Sequence, residues 1–348
     1  MVVNMDSGRI GHNRLAGSAQ SLPRTAPGQR AGRSVTIGLV NNMAGAAFKA
    51  TERQFVSLLD SASEDHPIHV SFYTLPGLSQ AEAGGHHFAG HYASVEALLD
   101  TRLDGLIVTG REPKMANLRE EPYWESFTQV LDWARSNTRS TIWSCLAAHA
   151  AILHMDGVGR RKSDEKKFGV FECEHATDHP LMQGLPARFH VPHSRWNGVA
   201  KDDLTANGYS VLSSIVDDGV DTFVKQEESL HVFYQGHLEY ESDTLMREYR
   251  RDVGRYVKGE TDIYPLLPRG YFDHGTEQTL IALRDKAVSS RSTALLASVA
   301  RVVEEAQIEN TWRGPANRIY RNWLQFICAR KSESKGRHRA AAALSISR

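Results

Sequence analysis

Short apolar runs alternate with amphipathic stretches through the first half of this 348-residue chain. Four runs are rich in β-branched and aromatic residues and predict strands: 34–43, 66–76, 104–110 and 140–145. Apolar residues at helical spacing separate some of them, in a stretch that begins at Thr51 and in another at 123–137. The repeated order of strand, helix and strand predicts a mainly parallel sheet covered on both faces, which is an α/β fold.

The pattern changes after residue 169, where strands follow one another with turns and little helix between them. These strands are predicted at 169–174, 187–196, 209–226 and 230–237. A hairpin turn is predicted at Asp218-Gly219. Helical spacing returns at 243–257, through much of 276–306, and at 317–331. We therefore expect a single domain over 35–330 with helices added at its C-terminal end.

Both ends of the chain differ from this interior. Residues 1–34 carry five Arg against one Asp, and residues 330–348 carry six Lys or Arg against one Glu, which leaves the interior of the neutral chain at about −9. The basic tails at 1–34 and 331–348 are poor in large apolar side chains, and we expect both to be disordered. The N-terminal tail also has the composition of a transit peptide, although it lacks a clear amphipathic helix.

Composition narrows the classes of protein to consider. The formal net charge is zero, which gives no argument for nucleic acid, and no apolar run approaches the ~20 residues of a membrane span. We therefore expect neither nucleic acid nor membrane as a partner. Three cysteines cannot build a disulfide framework, which indicates a reducing compartment and hence the cytoplasm. We expect no metal, because no pair of cysteines has ligand spacing.

Cys145 stands at the junction between a predicted strand and a predicted helix that begins at Leu146. Ligands of parallel α/β sheets bind beyond the carboxyl ends of the strands, and a helix N-terminus favours a thiolate. This is the geometry of a nucleophile elbow, although cysteine is also among the most often buried residue types. Cys173 and Cys328 lie in a strand and on an aromatic helix face, where packing explains them better.

A nucleophilic thiol needs a base, and the base needs an orienting group. The sequence FYQGHLEYE places His237 just beyond the end of a predicted strand and Glu239 two residues later. A carboxylate at that distance would hold the imidazole in one tautomer. An exposed histidine beside a solvated glutamate explains the same two residues, so both interpretations stay open on the pattern alone.

From about residue 35 to 330 the sequence resembles the homoserine O-succinyltransferase family, including its acetyl-transferring members. The matching stretches occur in the family's order and at nearly its spacing, and they include DGLIVTG, WSCLAAHAAIL, DEKKFGVFE, VPHSRW, GHLEYESDTLMREYRRDV and NRIYRNWL. The resemblance implies a flavodoxin-like α/β sandwich related to class I glutamine amidotransferases. It also implies a homodimer, which the aromatic stretch at 317–327 would serve unless core packing uses those side chains.

The resemblance assigns the nucleophile to Cys145, the general base to His237 and the third member of a catalytic triad to Glu239. It assigns substrate binding to four further residues, namely Lys166, Ser194, Glu248 and Arg251. The spacing of the last two places them on one helix face, which suits the ammonium and carboxylate groups of an amino acid. An exposed intrahelical ion pair is the alternative explanation for that spacing.

The implied reaction is ping-pong acyl transfer, with succinyl-CoA or acetyl-CoA as co-substrate and no bound cofactor. Cys145 attacks the thioester, and His237 then accepts the hydroxyl proton of the amino acid that attacks the acyl-enzyme. The backbone N–H of Leu146 is the first candidate for the oxyanion hole, and a second donor is expected in the loop NNMAGAAF. The family's acceptor is homoserine, in methionine biosynthesis, but serine or another hydroxy amino acid presents the same groups.

Three stretches depart from the family pattern. After Met43 the chain continues with Ala44-Gly45 instead of proline, in a loop about two residues longer than usual. After VTG it continues with Arg111-Glu112-Pro113-Lys114 instead of Ala-Pro, and Lys114 falls at the position that distinguishes succinyl from acetyl donors. Lysine matches neither the residue type that the family uses with succinyl donors nor the type that it uses with acetyl donors. Residues 270–308 form a longer helical insertion than the family usually shows.

Two other functions stand as alternatives. A class I glutamine amidotransferase uses Cys, His and Glu on a related fold, but WSCLA lacks the glycines that usually flank its nucleophile. A catalytically silent binding protein on the same scaffold would explain the altered loops. The retention of Cys145, His237 and Glu239 together argues against this second alternative.

Overall fold

A computed structural model describes the chain at residues 4–5, 34–63, 66–76, 91–175 and 177–346, with side chains between 34 and 334. Most of the predicted N-terminal tail therefore lies outside the described residues. Its described part differs from the prediction of disorder, because residues 4–5 form a short strand.

In this part of the chain, eleven strands form one sheet. They are β1 (Asn4–Met5), β2 (Val35–Val40), β3 (Ile68–Tyr73), β4 (Tyr92–Ala93), β5 (Gly105–Thr109), β6 (Ser140–Ser144), β7 (Arg161–His175), β8 (Arg188–Gly198), β9 (Ser210–Ile215), β10 (Gly219–Gln226) and β11 (Leu230–Tyr234). Their order across the sheet is β1-β3-β2-β5-β6-β11-β10-β9-β7-β8, and β4 pairs with β3.

The sheet has a parallel half and an antiparallel half that meet at β11. Strands β1 to β6 pair in parallel, and β11 joins them alongside β6. From β11 outwards, β10, β9, β7 and β8 pair antiparallel. The predicted hairpin is confirmed, since Gly219 pairs with Ile215 and has φ 93°, a conformation that suits glycine. The predicted α/β fold with a mainly parallel sheet is thus confirmed.

Helices cover both faces of the sheet. They are α1 (Ala46–Ala62), α2 (Val95–Leu99), α3 (Trp124–Asn137), α4 (Leu146–Asp156), α5 (Lys201–Ala206), α6 (Thr244–Val257), α7 (His274–Ser289), α8 (Thr293–Glu305) and α9 (Arg313–Ile346). One apolar cluster joins α1 and α9 to the sheet, and a second joins α2, α3 and α4 to its other face. The fully buried strands β5, β6 and β11 lie between these layers, as their short apolar runs predict.

The prediction of a disordered tail from residue 331 is wrong as far as residue 346, because α9 continues through it. Lys331 ties this helix to the sheet. Its ammonium lies 2.5 Å from the carboxylate of Asp104 and donates to the backbone oxygen of Ser34. Ser334 accepts a hydrogen bond from Arg139 one turn later. Basic residues and alanine are also good helix formers, so composition alone did not distinguish a solvated tail from the end of a long helix.

The sequence predicts that the aromatic side chains of α9 serve either a dimer interface or the core. Tyr320 and Trp323 are 1% and 0% exposed and belong to the cluster between α9 and the sheet. Core packing therefore uses these side chains. Across the described residues, no helix is long and apolar enough to cross a membrane.

The predicted insertion at 270–308 contains α7 and α8. A third apolar cluster joins these helices to α6 through side chains that include Tyr249, Val253, Leu280 and Val299. The insertion therefore packs behind the helix that carries Glu248 and Arg251.

Candidate active site

Cys145 lies at a sharp turn between the end of β6 and the start of α4. Its backbone has φ 55° and ψ −115°, a region that non-glycine residues rarely adopt, and such strain costs about 1–3 kcal/mol. The Cys145 N–H donates to the carbonyl oxygen of Tyr234 on β11 at 2.7 Å, which fixes the turn against the neighbouring strand. The sharp turn predicted at the junction of strand and helix is present, and the role of Cys145 as nucleophile stays a prediction.

Gly110 provides the space that this turn requires. Its N–H donates to the oxygen of Ser144 at 3.1 Å. A Cβ at Gly110 would lie 2.6 Å from the Cβ of Leu146 and 2.7 Å from its backbone nitrogen, closer than real side chains approach. The end of β5 therefore lies directly against the N-terminus of α4, where the first N–H groups have no partner within the helix.

His237 and Glu239 follow the end of β11, next to the elbow. The Nδ1 atom of His237 lies 2.8 Å from Oε1 of Glu239, and both side chains are largely buried. Burial disfavours the charged imidazole, but the negative charges of Cys145 and Glu239 and hydrogen bonds to both raise the pKa of His237 well above its ordinary value. Because Nδ1 faces the carboxylate, Nε2 is the atom available to the thiol.

A buried contact between a histidine and an aspartate lies beneath the segment that carries His237. His193 Nε2 lies 3.3 Å from Oδ1 of Asp221, and a Cβ at Gly236 would approach this carboxylate oxygen and the His193 ring to 3.0 Å. Such a Cβ would also lie 2.4 Å from Val191. Glycine at 236 therefore lets His237 follow the strand without displacing the pair beneath it.

The same pair belongs to a group of three possible metal ligands. The ligand atoms of Cys173, His193 and Asp221 lie within 4.8 Å of one another, and all three residues are buried. The Nδ1 atom of His193 accepts from Arg195, which leaves the Nε2 proton facing Asp221, and burial lowers the pKa of His193 to about 4. Nδ1 of His193 is thus engaged by Arg195, Nε2 lies near Asp221 without a hydrogen bond, and Cys173 packs in the core as predicted.

Glu248 on α6 is held by two hydroxyl groups. Ser194 on β8 donates to Oε2 at 2.6 Å, and Tyr240 donates to Oε1 at 2.5 Å. The ring of Tyr240 stacks on His237 with 4.3 Å between centroids. Sequence patterns gave no role to Tyr240, although it lies in the quoted motif GHLEYE. It connects the predicted substrate-binding carboxylate with the predicted base.

Arg251 and Lys166 converge on Asp252 from different elements. Arg251 Nε donates to Oδ1 of Asp252 at 2.8 Å, and Lys166 Nζ on β7 lies 3.7 Å from Oδ2. Lys166 also lies over the ring of Phe168, 4.3 Å from its centroid. Among the described contacts, Glu248 and Arg251 form no ion pair with each other. The alternative of an intrahelical pair is therefore wrong, and the guanidinium is half exposed.

The loop after β5 places two of its basic residues, Arg111 and Lys114, in different environments. Lys114 is exposed, while its backbone N–H and that of Met115 donate to Oε1 of Glu121 at 2.6 and 2.7 Å. Arg111 is 7% exposed and lies over the ring of Tyr123, 4.3 Å from its centroid. The departure from the family pattern thus buries one cation and leaves the predicted selectivity residue at the surface.

The loop after β2 is fixed by hydrogen bonds from the Asn41 side chain and the Asn42 backbone. Asn41 Nδ2 donates to the oxygen of Phe48 at 2.9 Å, and the Asn42 N–H donates to Thr109 Oγ1 at 2.8 Å. Gly45 then begins α1 with φ 61°. This explains why α1 starts five residues before Thr51. The loop lies beside the end of β5, where a second oxyanion donor is expected.

Comparison with known proteins decides the family. A family profile described as HTS, homoserine O-succinyltransferase, matches residues 19–334. A homoserine O-succinyltransferase from Rhodopseudomonas palustris is 45% identical over 294 residues, which cover 84% of this chain and 88% of the relative. One from Bradyrhizobium japonicum is 40% identical over 311 residues, which cover 88% and 95%. The chain belongs to the homoserine O-succinyltransferase family.

The resemblance inferred from separated motifs is thus confirmed for this member of the family. Among solved structures, a glutamine amidotransferase from Methylobacillus flagellatus is similar with a TM-score of 0.45 at 13% identity, over 84% of this chain and 95% of that chain. A glutamine amidotransferase from Thermotoga maritima has a TM-score of 0.43, also at 13% identity, over 78% and 99%.

Proposed function

We propose that this protein transfers a succinyl group from succinyl-CoA to the side-chain hydroxyl of homoserine, through an acyl-enzyme on Cys145. The single observation that carries the proposal is the strained elbow that presents Cys145 to a His237–Glu239 pair, in a chain of this family. We place this step in methionine biosynthesis, as membership of the family implies, and propose the cytoplasm as its place and a homodimer as its assembly.

In the first half-reaction, the Cys145 thiolate attacks the thioester carbonyl of succinyl-CoA. The bond from Cys145 sulfur to the acyl carbon forms, the bond to the CoA sulfur breaks, and CoA leaves as a thiol with a proton from His237. One thioester replaces another, so the acyl-enzyme is not a deep trap. The raised pKa of His237 suits this step, because the imidazolium forms beside the thiolate that it stabilises.

In the second half-reaction, the acceptor hydroxyl attacks the acyl-enzyme while His237 Nε2 accepts its proton. Glu239 holds Nδ1–H and stabilises the imidazolium that forms. The Leu146 N–H is our first candidate to stabilise the oxyanion of both tetrahedral intermediates, since it begins α4 immediately after the nucleophile. Release of Cys145 as thiolate completes the cycle.

We assign recognition of the amino acid to α6 and the adjoining strands. The carboxylate of Glu248 pairs with the acceptor's ammonium group, and the half-exposed Arg251 pairs with its carboxylate. Ser194 fixes Glu248, and Lys166 adds positive charge near Arg251. Tyr240 contacts both Glu248 and the ring of His237, so the ammonium site and the proton acceptor share one side chain.

The test is intact-protein mass spectrometry after brief incubation with succinyl-CoA and no acceptor. We expect one succinyl adduct on the wild type and none on Cys145→Ala, with release of about one CoA per adduct. Cys145→Ser keeps an oxygen nucleophile and serves as the matched variant, with a slower adduct. Full turnover by Cys145→Ala, or neither adduct nor CoA release in the wild type, would reject the proposal in favour of an amidotransferase or a silent scaffold.

A further inference from the structure

Arg111 is positioned beside the predicted site of acyl transfer. It follows Gly110, whose backbone lies against the first residues of α4 and whose N–H is bonded to the strand that ends at Cys145. In the register of the sheet, Thr109 on β5 is opposite Ser144 on β6. Ser144 directly precedes Cys145. Arg111 therefore follows, by two residues, the position on β5 that pairs with Ser144.

The guanidinium of Arg111 is buried without a carboxylate. It lies over the ring of Tyr123, and Nε and Nη2 are buried with no hydrogen-bond acceptor among the described residues. Among those residues the guanidinium also forms no ion pair within 4.0 Å. Burying a cation without a counter-charge is expensive, and guanidinium is the side chain whose two parallel donors match a carboxylate.

A second cation extends this surface towards Cys145. Arg160 is half-buried, donates to the oxygen of Ala116 at 3.3 Å, lies near Tyr123, and is within electrostatic range of Glu121 and Cys145. Burial lowers the pKa of Arg160, and the charges of Glu121 and Cys145 oppose that change. Arg160, which has Tyr123 as a neighbour in common with Arg111, is thus within electrostatic range of Cys145.

Glu121 does not serve as the missing counter-ion of Arg111. Its Oε1 atom accepts the backbone N–H groups of Lys114 and Met115, so this carboxylate shapes the loop. The same bonds fix the backbone at Lys114, whose side chain is exposed. Glu121 therefore shapes the loop after Arg111, and two guanidinium nitrogens of Arg111 have no acceptor among the described residues.

We propose that Arg111 binds the distal carboxylate of the succinyl group carried by Cys145 and so selects a dicarboxylic acyl donor. This inference rests on the proposed function, and it moves donor selection from Lys114 to the buried cation three residues before it. The acyl carbonyl lies at the N-terminus of α4, and the distal carboxylate is two methylene groups away. Arg111 supplies two donors on that side, and Arg160 adds positive charge.

The experiment compares acyl donors with and without the distal carboxylate. Butyryl-CoA has the same chain as succinyl-CoA with a methyl group in place of the carboxylate, and acetyl-CoA lacks the chain. The full-length wild type, Arg111→Gln and Arg111→Lys are assayed with each donor at saturating homoserine. Arg119→Gln, which changes an exposed arginine in the same loop, is the matched control.

We expect the wild type to prefer succinyl-CoA over butyryl-CoA by at least about 10-fold in kcat/KM. Arg111→Gln lowers kcat/KM for succinyl-CoA on the order of 100-fold, because a charged partner is lost from a buried pair, and changes the other donors by less than about 3-fold. Arg111→Lys restores part of the loss as a point charge without the fork. Arg119→Gln resembles the wild type.

Three outcomes would overturn the assignment. The first is that the wild type shows no preference between succinyl and butyryl donors. The second is that Arg111→Gln lowers kcat/KM equally for all donors, which indicates a structural role. The third is that Lys114→Gln, and not Arg111→Gln, removes the preference. The first outcome needs no variant, so it decides even if Arg111→Gln does not fold. A Cys145 adduct formed without donor preference rejects only this subsite, whereas the absence of any adduct rejects the proposed function as well.

Discussion

The two groups of residues that meet at the site are held in different ways. Cys145 and His237 extend from β6 and β11, and backbone hydrogen bonds to Tyr234 and Pro192 fix the chain at each of them. Glu248 and Arg251 instead lie on α6 and are oriented by side-chain contacts with Ser194, Tyr240 and Asp252. The proposed reacting groups are thus fixed by the sheet, and the proposed amino-acid contacts depend on neighbouring side chains that substitution alters easily.

The largest loss of activity is expected from substitutions at His237 and Glu239, which follow the end of β11. His237→Asn removes the proton acceptor and should lower kcat/KM by about 10⁴-fold or more, whereas Glu239→Gln removes only orientation and charge and should cost about 10²- to 10³-fold. Steady-state kinetics with succinyl-CoA and homoserine measure both. Near-normal rates in the two variants would instead favour a buried His–Glu pair without a catalytic role.

A smaller loss of activity is expected when the backbone next to His237 is displaced while the proposed reacting groups stay unchanged. Gly236→Ala places a Cβ against Val191 and the His193–Asp221 pair, so the chain must shift and displace His237. A displacement of about 1 Å costs on the order of 100-fold in kcat.

The control for this variant is Gly314→Ala on α9, where a Cβ meets nothing within 4 Å. We expect it to leave kcat unchanged. Wild-type kcat in Gly236→Ala would show that the buried pair does not position the base.

The residues on α6 should affect the acceptor more than the acyl-enzyme. Glu248→Gln removes the charge opposite the ammonium group and leaves one of its two hydroxyl partners facing an amide donor. We expect the KM for homoserine to rise about 10- to 100-fold, with the rate of Cys145 acylation unchanged. Tyr240→Phe removes one of those hydrogen bonds and should raise this KM about 5-fold.

The matched control is Glu304→Gln, which breaks an exposed ion pair with Arg250 at the back of α6. Such pairs contribute little, so we expect less than a 2-fold change. Slower acylation in Glu248→Gln, measured by stopped-flow CoA release, would contradict the division between the two groups.

The smallest effect concerns the protonation of His237. The charge of Cys145 contributes to raising the pKa of His237, so Cys145→Ala should lower that pKa and make the ring neutral at a lower pH than in the wild type. Glu239→Gln should shift it in the same direction. NMR titration of the assigned imidazole measures both, and an unchanged midpoint in Cys145→Ala would show that the two side chains are not coupled.

Sequence patterns predicted the elements at the site better than the contacts between them. The strand and helix that meet at Cys145 follow from local hydrophobic spacing, and they lie at 140–144 and 146–156. The support beneath Gly236 joins His193 and Asp221 from strands of the antiparallel half, a juxtaposition that local periodicity does not encode. Arg111 stood out in the sequence as a departure, but its burial depends on packing against Tyr123.

The positive φ of Cys145 sets stability against activity at a single position. Glycine adopts this conformation without strain, so Cys145→Gly would relieve a cost of about 1–3 kcal/mol in the folded state while removing the thiol. Alanine retains the strain. A selection for thermal tolerance alone would therefore tend to discard the nucleophile, and only growth that depends on the enzyme's product would keep a cysteine there.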